Sequence, residues 1–475
     1  MAILPINEKL LSIVGPSGLT NDVLALESHN RDWRGRYQGD AAWVVKPATT
    51  HEVMDVVRAC FEAGISIVPQ GGNTSQCGAS VPGTGWGSII LNLSRMNRIR
   101  TIDWDNDTLT CEAGVTLATV QETARQGNRL FPDSIASEGT AEIGGVISTN
   151  AGGTAVLRYG NMRSQVLGLE VVLPDGQLWN GMRMLRKDNT GYDLKQWFIG
   201  AEGTLGIVTA AVLRLYPLPR SRATAWVAVD SPAQAVSLLS HLKSCVGDRT
   251  SGFELMSRSA LQMVLTHITG THDPLGNSSP WYVLVELEDA SPDAGLDALL
   301  ETALDQVLQQ QLISDAVISR SESQSAALWA LREQVSEAQK REGISIKHDI
   351  SVPVSRIPVF VEDASQKLER AYPGIRVVCF GHVGDGNLHY NLSMPDKVKN
   401  PSFIEVTPQV NRIVHDVVHQ LDGSISAEHG IGQLKVDELV RYKSPIELEL
   451  MKTLKKALDP KNLMNPGKIF RPGNI

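Results

Sequence analysis

The 475-residue sequence predicts an α+β protein of two parts, and three observations carry that expectation. A β-α-β pattern over the first 75 residues runs into a glycine loop, Gln70-Gly71-Gly72-Asn73-Thr74-Ser75. A second segment, Pro132 to Gly153, is built almost wholly of small residues. After Tyr216-Pro217-Leu218-Pro219 this glycine-rich style stops, and long helical patterns alternate with strands such as Trp281 to Leu287, which sets a domain boundary near 219. The length itself has room for two or three domains of ~150 residues.

A formal charge of −8 and an acidic balance argue against nucleic acid as a partner and leave no polybasic membrane patch. Five cysteines, Cys60, Cys77, Cys111, Cys245 and Cys379, show no C-x-x-C spacing and read as buried thiols of a reduced compartment. Met1 to Glu8 has no basic stretch ahead of an apolar run, and nowhere do ~18 apolar residues run together. The expectation is a soluble, cytoplasmic protein without a transmembrane segment.

Residues 8–36 read as helical, and Ala41 to Pro47 as a strand stopped by its proline. Thr50 to Phe61 carries apolar residues three and four apart, an amphipathic helix ending at Ala63-Gly64, and Ile65 to Pro69 is a short strand. The loop that follows suits an anion, because residues without side chains let backbone N–H groups converge. It matches neither G-x-G-x-x-G nor G-x-x-x-x-G-K-[ST], so an ordinary NAD domain and a nucleotide hydrolase both lose ground. The small residues of 132–153 would pack poorly against one another and leave space for a large flat ligand against the backbone. Val166 to Gly176 reads as a buried strand and turn, and Gly191 to Leu194 and Ile199 to Thr209 follow.

The stretches Pro69 to Ser75, Ser137 to Gly153, Leu167 to Gly176 and Gly191 to Thr209 together resemble the FAD-binding flavoproteins of the p-cresol methylhydroxylase and vanillyl-alcohol oxidase type, over roughly residues 40–218. The resemblance implies FAD held in extended form between two α+β subdomains, its pyrophosphate on backbone amides of the two glycine segments. The contacts it implies are Gly71, Gly72, Asn73, Thr74 and Ser75 in the first loop. In the second they are Pro132, Ser137, Thr140, Gly144, Gly145, Ser148 and Asn150, with Ile207 and Asn465 adding contacts from later stretches. No His or Cys stands as a counterpart of the residues that bond flavin covalently in some relatives, so non-covalent FAD is expected.

In the second part, residues 294–312 read as an acidic, Gln-rich helix with a solvated face. Arg332 and Ser336 are four apart and would share one helical face. Ile344 to Val352 alternates, with Ile344, Ile346, Ile350 and Val352 on one side and Ser345, Lys347, Asp349 and Ser351 on the other.

The loop Gly381-His382-Val383-Gly384-Asp385-Gly386-Asn387-Leu388-His389-Tyr390-Asn391 offers two imidazoles, and Ser426-Ala427-Glu428-His429-Gly430 adds a carboxylate. His382, His389 and Glu428 form a two-His, one-carboxylate ligand set that leaves a coordination position open for substrate. His429 diverges from its neighbour Glu428 and is the candidate base. Zinc suits these N and O donors, with manganese or iron as alternatives. His415 and His419 share a helix face, but no Glu follows the first His, so they read as a solvated or capping pair.

Over nearly the whole chain the sequence further resembles the D-2-hydroxyacid dehydrogenases of this flavoprotein family, most closely the D-2-hydroxyglutarate dehydrogenases. The stretches are Leu331-Arg332-Glu333, Lys347 to Pro353, His382 to Asn391, Ser426 to Gly430 and Asn465-Pro466-Gly467-Lys468. That resemblance implies substrate binding by Arg332, Ser336, Lys347, Asn391 and His429, metal at His382, His389 and Glu428, and His429 as base. Position 336 carries Ser where the family enzyme carries Thr, which keeps the hydroxyl and loses a methyl. The lactate and glycolate relatives lack a counterpart of Lys347, and a lysine suits a second carboxylate.

The expected organisation is a FAD-binding domain over 1–218, a substrate and metal domain with an antiparallel sheet over 219–430, and a C-terminal helical segment over 431–475 returning to the FAD domain. The expected function is FAD-dependent oxidation of a D-2-hydroxy acid to the 2-oxo acid, with D-lactate or glycolate as alternative substrates. Electrons would pass to an electron-transfer flavoprotein, a quinone or a cytochrome, and a homodimer stays open. From other classes, a non-catalytic FAD-binding subunit and a net non-redox ether-lipid synthase remain as alternatives.

Overall fold

The computed structural model describes residues 6–85, 87–471 and 473, and it is an α+β protein of two compact units. Unit 1 comprises Met1–Gly152, Gly160–Leu218 and Glu428–Ile475, and unit 2 comprises Gly153–Tyr159 and Pro219–Ala427.

Unit 1 holds two sheets. The first has the order Leu19–Thr20, Trp43–Val45, Ile89–Asn92, Ile67–Gln70, with the last three strands parallel. The helix Thr50–Ala63 forms because Thr49 accepts from the Glu52 N–H, Gly64 ends it at φ 68°, and Val53, Val56, Val57 and Cys60 make one apolar stripe. That stripe is buried with Val45, Ile67 and Leu91, each such side chain contributing about 1.5–3 kcal/mol. The second sheet is antiparallel, in the order Ile99–Asp103, Thr108–Glu112, Ile207–Arg214, Val166–Val172, Leu178–Gly181.

Two expectations for this unit change. The stretch 8–36 is not one helix: Ile6–Val14 and Val23–Asn30 are separated at Gly15-Pro16-Ser17-Gly18, where Gly15 takes φ 70° and proline cannot continue the ladder. In the β-α-β unit, strand Ile89–Asn92 lies between the two strands that flank the helix.

Unit 2 is a seven-stranded sheet in the order Asp315–Ile318, Ser221–Val229, Trp281–Asp289, Thr250–Ser257, Arg376–Gly381, Asn387–Ser393, Ile346–Ser351, antiparallel at every pairing. One face carries Trp226, Leu284, Met256, Val378 and Phe380 and is buried under the helices Arg258–His267, Glu322–Glu333 and Val335–Glu342. On the other, Phe360 of helix Ile357–Ala371 meets Tyr390 edge-on with ring centroids 5.2 Å apart, and His415 of helix Thr407–Gln420 meets His348 at 5.6 Å.

His415 is therefore buried rather than solvated, which corrects one half of the expected pair; His419 is exposed. Cys245 is likewise exposed, against the expectation of five buried thiols. Burial pushes the thiols of Cys60, Cys111 and Cys379 up to about 12, which leaves them protonated and inert. Ile344 lies outside its strand and is 52% exposed, so the alternation begins at Ile346. No described helix is long and apolar enough to cross a membrane.

Candidate active site

In unit 1 the two glycine segments abut. Gly71–Ser75 leaves the end of strand Ile67–Gln70, and a Cβ at Gly72 would stand 1.8 Å from the Thr140 carbonyl oxygen, so no side chain fits there. Asn73 takes φ 54°, donates its amide to the Arg31 carbonyl at 2.8 Å and accepts from the Ser80 hydroxyl at 2.7 Å. Ser75 accepts from the Ala79 N–H. A cleft of about 610 Å³ opens beside this loop, lined by Gly72, Asn73, Ser28, Arg31, Trp33 and Arg34 among others.

The second segment holds the helix Ile143–Ser148, which approaches the second sheet so closely that a Cβ at Gly144 would lie 2.8 Å from that of Ala113. Gly145 is different, because a Cβ there meets nothing within 4 Å. Thr140 donates its hydroxyl to the Ser137 carbonyl and Ser148 to that of Gly144, while Asn150, at φ 50°, accepts from the Arg163 N–H. Asn465 reaches the same region from the C-terminal segment, donating to the carbonyls of Ala79 and Glu202 at 3.1 and 2.7 Å. Its Oδ1 is buried with no partner among the described residues, as are Asp133 Oδ2 and Glu142 Oε2. Pro132 and Ile207 are both buried. The open side of Gly145, buried polar atoms without a partner among the described residues and a cleft fit a ligand recognised by backbone amides and small polar groups.

Burial pushes the Glu142 carboxyl up to about 7, against the opposing charge of Lys46. Its folded pKa exceeds its unfolded one, so the charged form is penalised: stability is untouched below the ordinary carboxylate range and falls as pH rises toward 7. Glu142→Gln is expected to stabilise flavin-stripped protein by roughly 1–3 kcal/mol at pH 8 and by almost nothing at pH 4. Urea unfolding at the two pH values checks this, and an equal gain at both refutes it.

In unit 2 the sheet register assembles the other candidates. Phe380 stands opposite His389, and Asn391 opposite both Val378 and Lys347, while Asp349 stands opposite His389. Cross-strand partners share a face, so Phe380, His389, Asn391, Lys347 and Asp349 all project from the side that carries Met256. His382 lies just past the strand end in the turn that joins the hairpin, and its carbonyl accepts from the N–H groups of Asp385 and Asn387. Gly381 and Gly386 make that turn at φ 151° and 94°, and a Cβ at Gly386 would meet the Val352 carbonyl at 2.3 Å. The His382 and His389 rings stand 6.0 Å apart between centroids, and they can bring one nitrogen each within 4.8 Å.

Two side chains that the sequence reading passed over complete this face. Glu254, 1% exposed, accepts from His382 Nδ1 at 2.6 Å and from Arg332 Nε at 2.8 Å. Burial alone would raise its pKa, but the His382 and Arg332 charges and hydrogen bonds outweigh burial and hold it at about 2. Arg332 also stacks over Phe380 at 4.9 Å. Gln339 accepts from the Asn391 amide at 2.9 Å. Alternation sets Glu254 on the side opposite Phe253 and Leu255, where a solvated carboxylate would be expected, and only the burial of the whole strand makes it internal.

One helical expectation fails here. Glu322–Glu333 and Val335–Glu342 are separate helices broken at Gln334, so Arg332 is buried while Ser336 is exposed, and the two do not share a continuous helical face. Lys347 is exposed, as the alternation implied.

Glu428 and His429 stand where the chain passes from unit 2 to unit 1. Before them, the Ala427 N–H donates to the Asp349 carbonyl at 3.4 Å within unit 2. After them, Ile431 and Gly432 donate N–H to the buried Glu202 carboxylate at 2.7 Å each, and Gln433 to the Cys77 carbonyl, within unit 1. Both residues are half-buried.

Comparison with known proteins matches residues 41–181 to an FAD binding domain and residues 218–469 to the C-terminal domain of FAD linked oxidases. A D-2-hydroxyglutarate dehydrogenase of Xanthomonas citri pv. viticola is 38% identical over 454 residues, 95% of this chain and 94% of that one. A Schizosaccharomyces pombe protein provisionally named a mitochondrial D-lactate dehydrogenase is 35% identical over 473 residues, covering 96% and 88% of the two chains. A crystal structure of p-cresol methylhydroxylase shares the fold at TM-score 0.74 and 17% identity, over 98% of this chain and 96% of that one. The chain therefore belongs to the FAD-linked oxidases, and it is a flavoprotein dehydrogenase acting on a CH–OH donor.

Proposed function

We propose that this enzyme oxidises a D-2-hydroxy acid to the 2-oxo acid, with the dicarboxylate D-2-hydroxyglutarate as preferred substrate, using a divalent metal at His382, His389 and Glu428. The observation that carries it is the sheet face of unit 2 on which His389 stands with the cation Lys347 and the amide of Asn391, with His382 in the turn at its end and the buried Arg332 over Phe380. Support for the metal comes from the donor chemistry: the histidine nitrogens approach within 4.8 Å, and with His382 Nδ1 facing Glu254, Nε2 is the atom that would ligate an ion. Glu428 follows one peptide after Ala427, whose N–H is tied to the same edge strand. Zinc is our choice among ions for this N,O set.

FAD, held non-covalently, supplies the two-electron acceptor. A bound divalent ion supplies acidity toward the substrate hydroxyl. His429 takes the hydroxyl proton, and Arg332 and Lys347 bind the two carboxylates, aided by Ser336 and Asn391. Electrons then leave to an electron-transfer flavoprotein, a quinone or a cytochrome. Five free cysteines support a reducing compartment, for which the cytoplasm is our reading.

An anaerobic panel of D- and L-2-hydroxy acids, scored by loss of flavin absorbance with and without chelator, tests the proposal. Bleaching by the D-dicarboxylate that chelator abolishes is expected; bleaching by none of the acids would sink it. D-lactate is the second reading, favoured by the S. pombe relative. Lys347→Ala separates the two. Loss of one charge-assisted contact, ~1.5–3 kcal/mol, should lower kcat/KM for D-2-hydroxyglutarate by ~10–100-fold and for D-lactate by less than ~threefold. Equal losses on both acids remove the dicarboxylate assignment.

A further inference from the structure

We propose that Glu254 is a positioning residue that sets His382 and Arg332 together, so that one buried carboxylate fixes both the metal-facing imidazole and the guanidinium that anchors substrate. The inference rests on the metal role proposed for His382. Glu254 occupies the strand Thr250–Ser257 on the face lined by Met256, Phe380 and Leu284, where an unpaired carboxylate would be strongly disfavoured. Its two oxygens are divided between two partners far apart in sequence, Oε1 facing His382 Nδ1 at 2.6 Å and Oε2 facing Arg332 Nε at 2.8 Å.

Each contact has a separate consequence. An ionised carboxylate only accepts, so Nδ1 of His382 carries the proton, and in the neutral imidazole that a metal requires the lone pair is on Nε2. Engaging Arg332 through Nε leaves the terminal Nη1 and Nη2 as a fork for a substrate carboxylate, while Phe380 beneath the guanidinium holds its plane. Because both contacts come from one rigid strand position, the spacing between imidazole and guanidinium is fixed by a single side chain.

A plain counterion for Arg332 would not need the first contact, and Glu254→Gln distinguishes the two roles. An amide has one accepting oxygen and one NH2, so it cannot accept at both of the positions where the two carboxylate oxygens stand. If its NH2 faces His382, it favours the tautomer with the proton on Nε2, which blocks that nitrogen. We expect E254Q to bind Zn²⁺ 10–100-fold more weakly by competition with a chromogenic chelator. Its KM for the hydroxy acid should rise more than tenfold at saturating Zn²⁺. R332M should raise KM alike but leave Zn²⁺ affinity within threefold of wild type. E254D keeps the charge and should recover part of both losses; if E254Q does not fold, as judged by its thermal unfolding, E254D carries the same two measurements against wild type.

Wild-type Zn²⁺ affinity in E254Q, or in E254D where that variant stands in, overturns the proposal and leaves Glu254 a counterion. Comparison of wild type with H382A, by metal content, tests the metal reading itself. If the two hold equal metal, that reading fails and takes the imidazole half of this proposal with it. An unchanged KM in the Glu254 variant overturns the guanidinium half independently.

Discussion

His382→Ala is expected to purify with its full complement of flavin, to hold less than about a tenth of the wild-type metal, and to reduce its flavin with substrate at least ~10³-fold more slowly. Flavin retention follows from where the two sets of residues lie. The glycine segments and Asn465 belong to unit 1, whereas His382 is held by the hairpin turn and by Glu254 of unit 2. The rate loss follows from the acidity that a bound ion lends to a hydroxyl, a matter of several kcal/mol at ~1.36 kcal/mol per tenfold. Losing an imidazole from a three-ligand set leaves too few donors to retain the ion. His415→Ala is the matching control. That ring is 3% exposed, packs edge-on against His348, and lies on the opposite sheet face. Its removal should cost roughly 1–3 kcal/mol in urea unfolding and leave metal content unchanged. Metal analysis and stopped-flow flavin reduction read both variants. A His382→Ala enzyme that reduces flavin at near wild-type rates excludes any catalytic metal at this position.

The contrast between these two histidines shows what a linear sequence reveals about the molecule. The glycines of both small-residue segments were legible because each is imposed locally: at Gly72 and Gly144 backbone or a neighbouring Cβ stands where a side chain would be. The helix Thr50–Ala63 was legible because cap, stripe and terminal glycine all agree. The shared side of Lys347 and Asp349 followed from strand alternation alone. What could not be read depends on partners distant in the chain. Glu254 meets Arg332 and His382 across 78 and 128 residues, and no local period announces either contact. His415 is buried where another strand places His348 against its ring. The break at Gln334 has no local breaker either. The residues around it, Ala330 to Ser336, contain no proline or glycine, yet Arg332 turns inward to an ion pair while Ser336 stays exposed.

His429→Asn is expected to lower the rate of flavin reduction by ~10²–10⁴-fold while metal content and flavin stay at wild-type levels, the loss typical of removing a general base. The position makes such a role chemically sensible. His429 follows Glu428 directly, and adjacent side chains diverge, so a carboxylate turned to one task leaves the imidazole to another. The backbone around the pair is secured at both ends: Ala427 donates to Asp349, and Ile431 and Gly432 donate to the two oxygens of Glu202, whose carboxylate is buried. Gly430 takes φ 75° with a Cβ position only 2.8 Å from Glu202, so the turn after His429 admits no other residue without strain. A side chain whose backbone is tied this close on either side would lose less entropy on reaching a reactive geometry. Asparagine keeps a polar side chain of similar reach but cannot accept a proton from the alcohol. Because it removes the proton acceptor and not the carboxylate anchors, the substrate dissociation constant from flavin spectral titration should move by less than ~threefold. Added imidazole should restore part of the rate in proportion to its concentration. If His429→Asn instead weakens substrate binding as much as it slows reduction, and imidazole restores nothing, His429 only binds substrate and the proton leaves by another route.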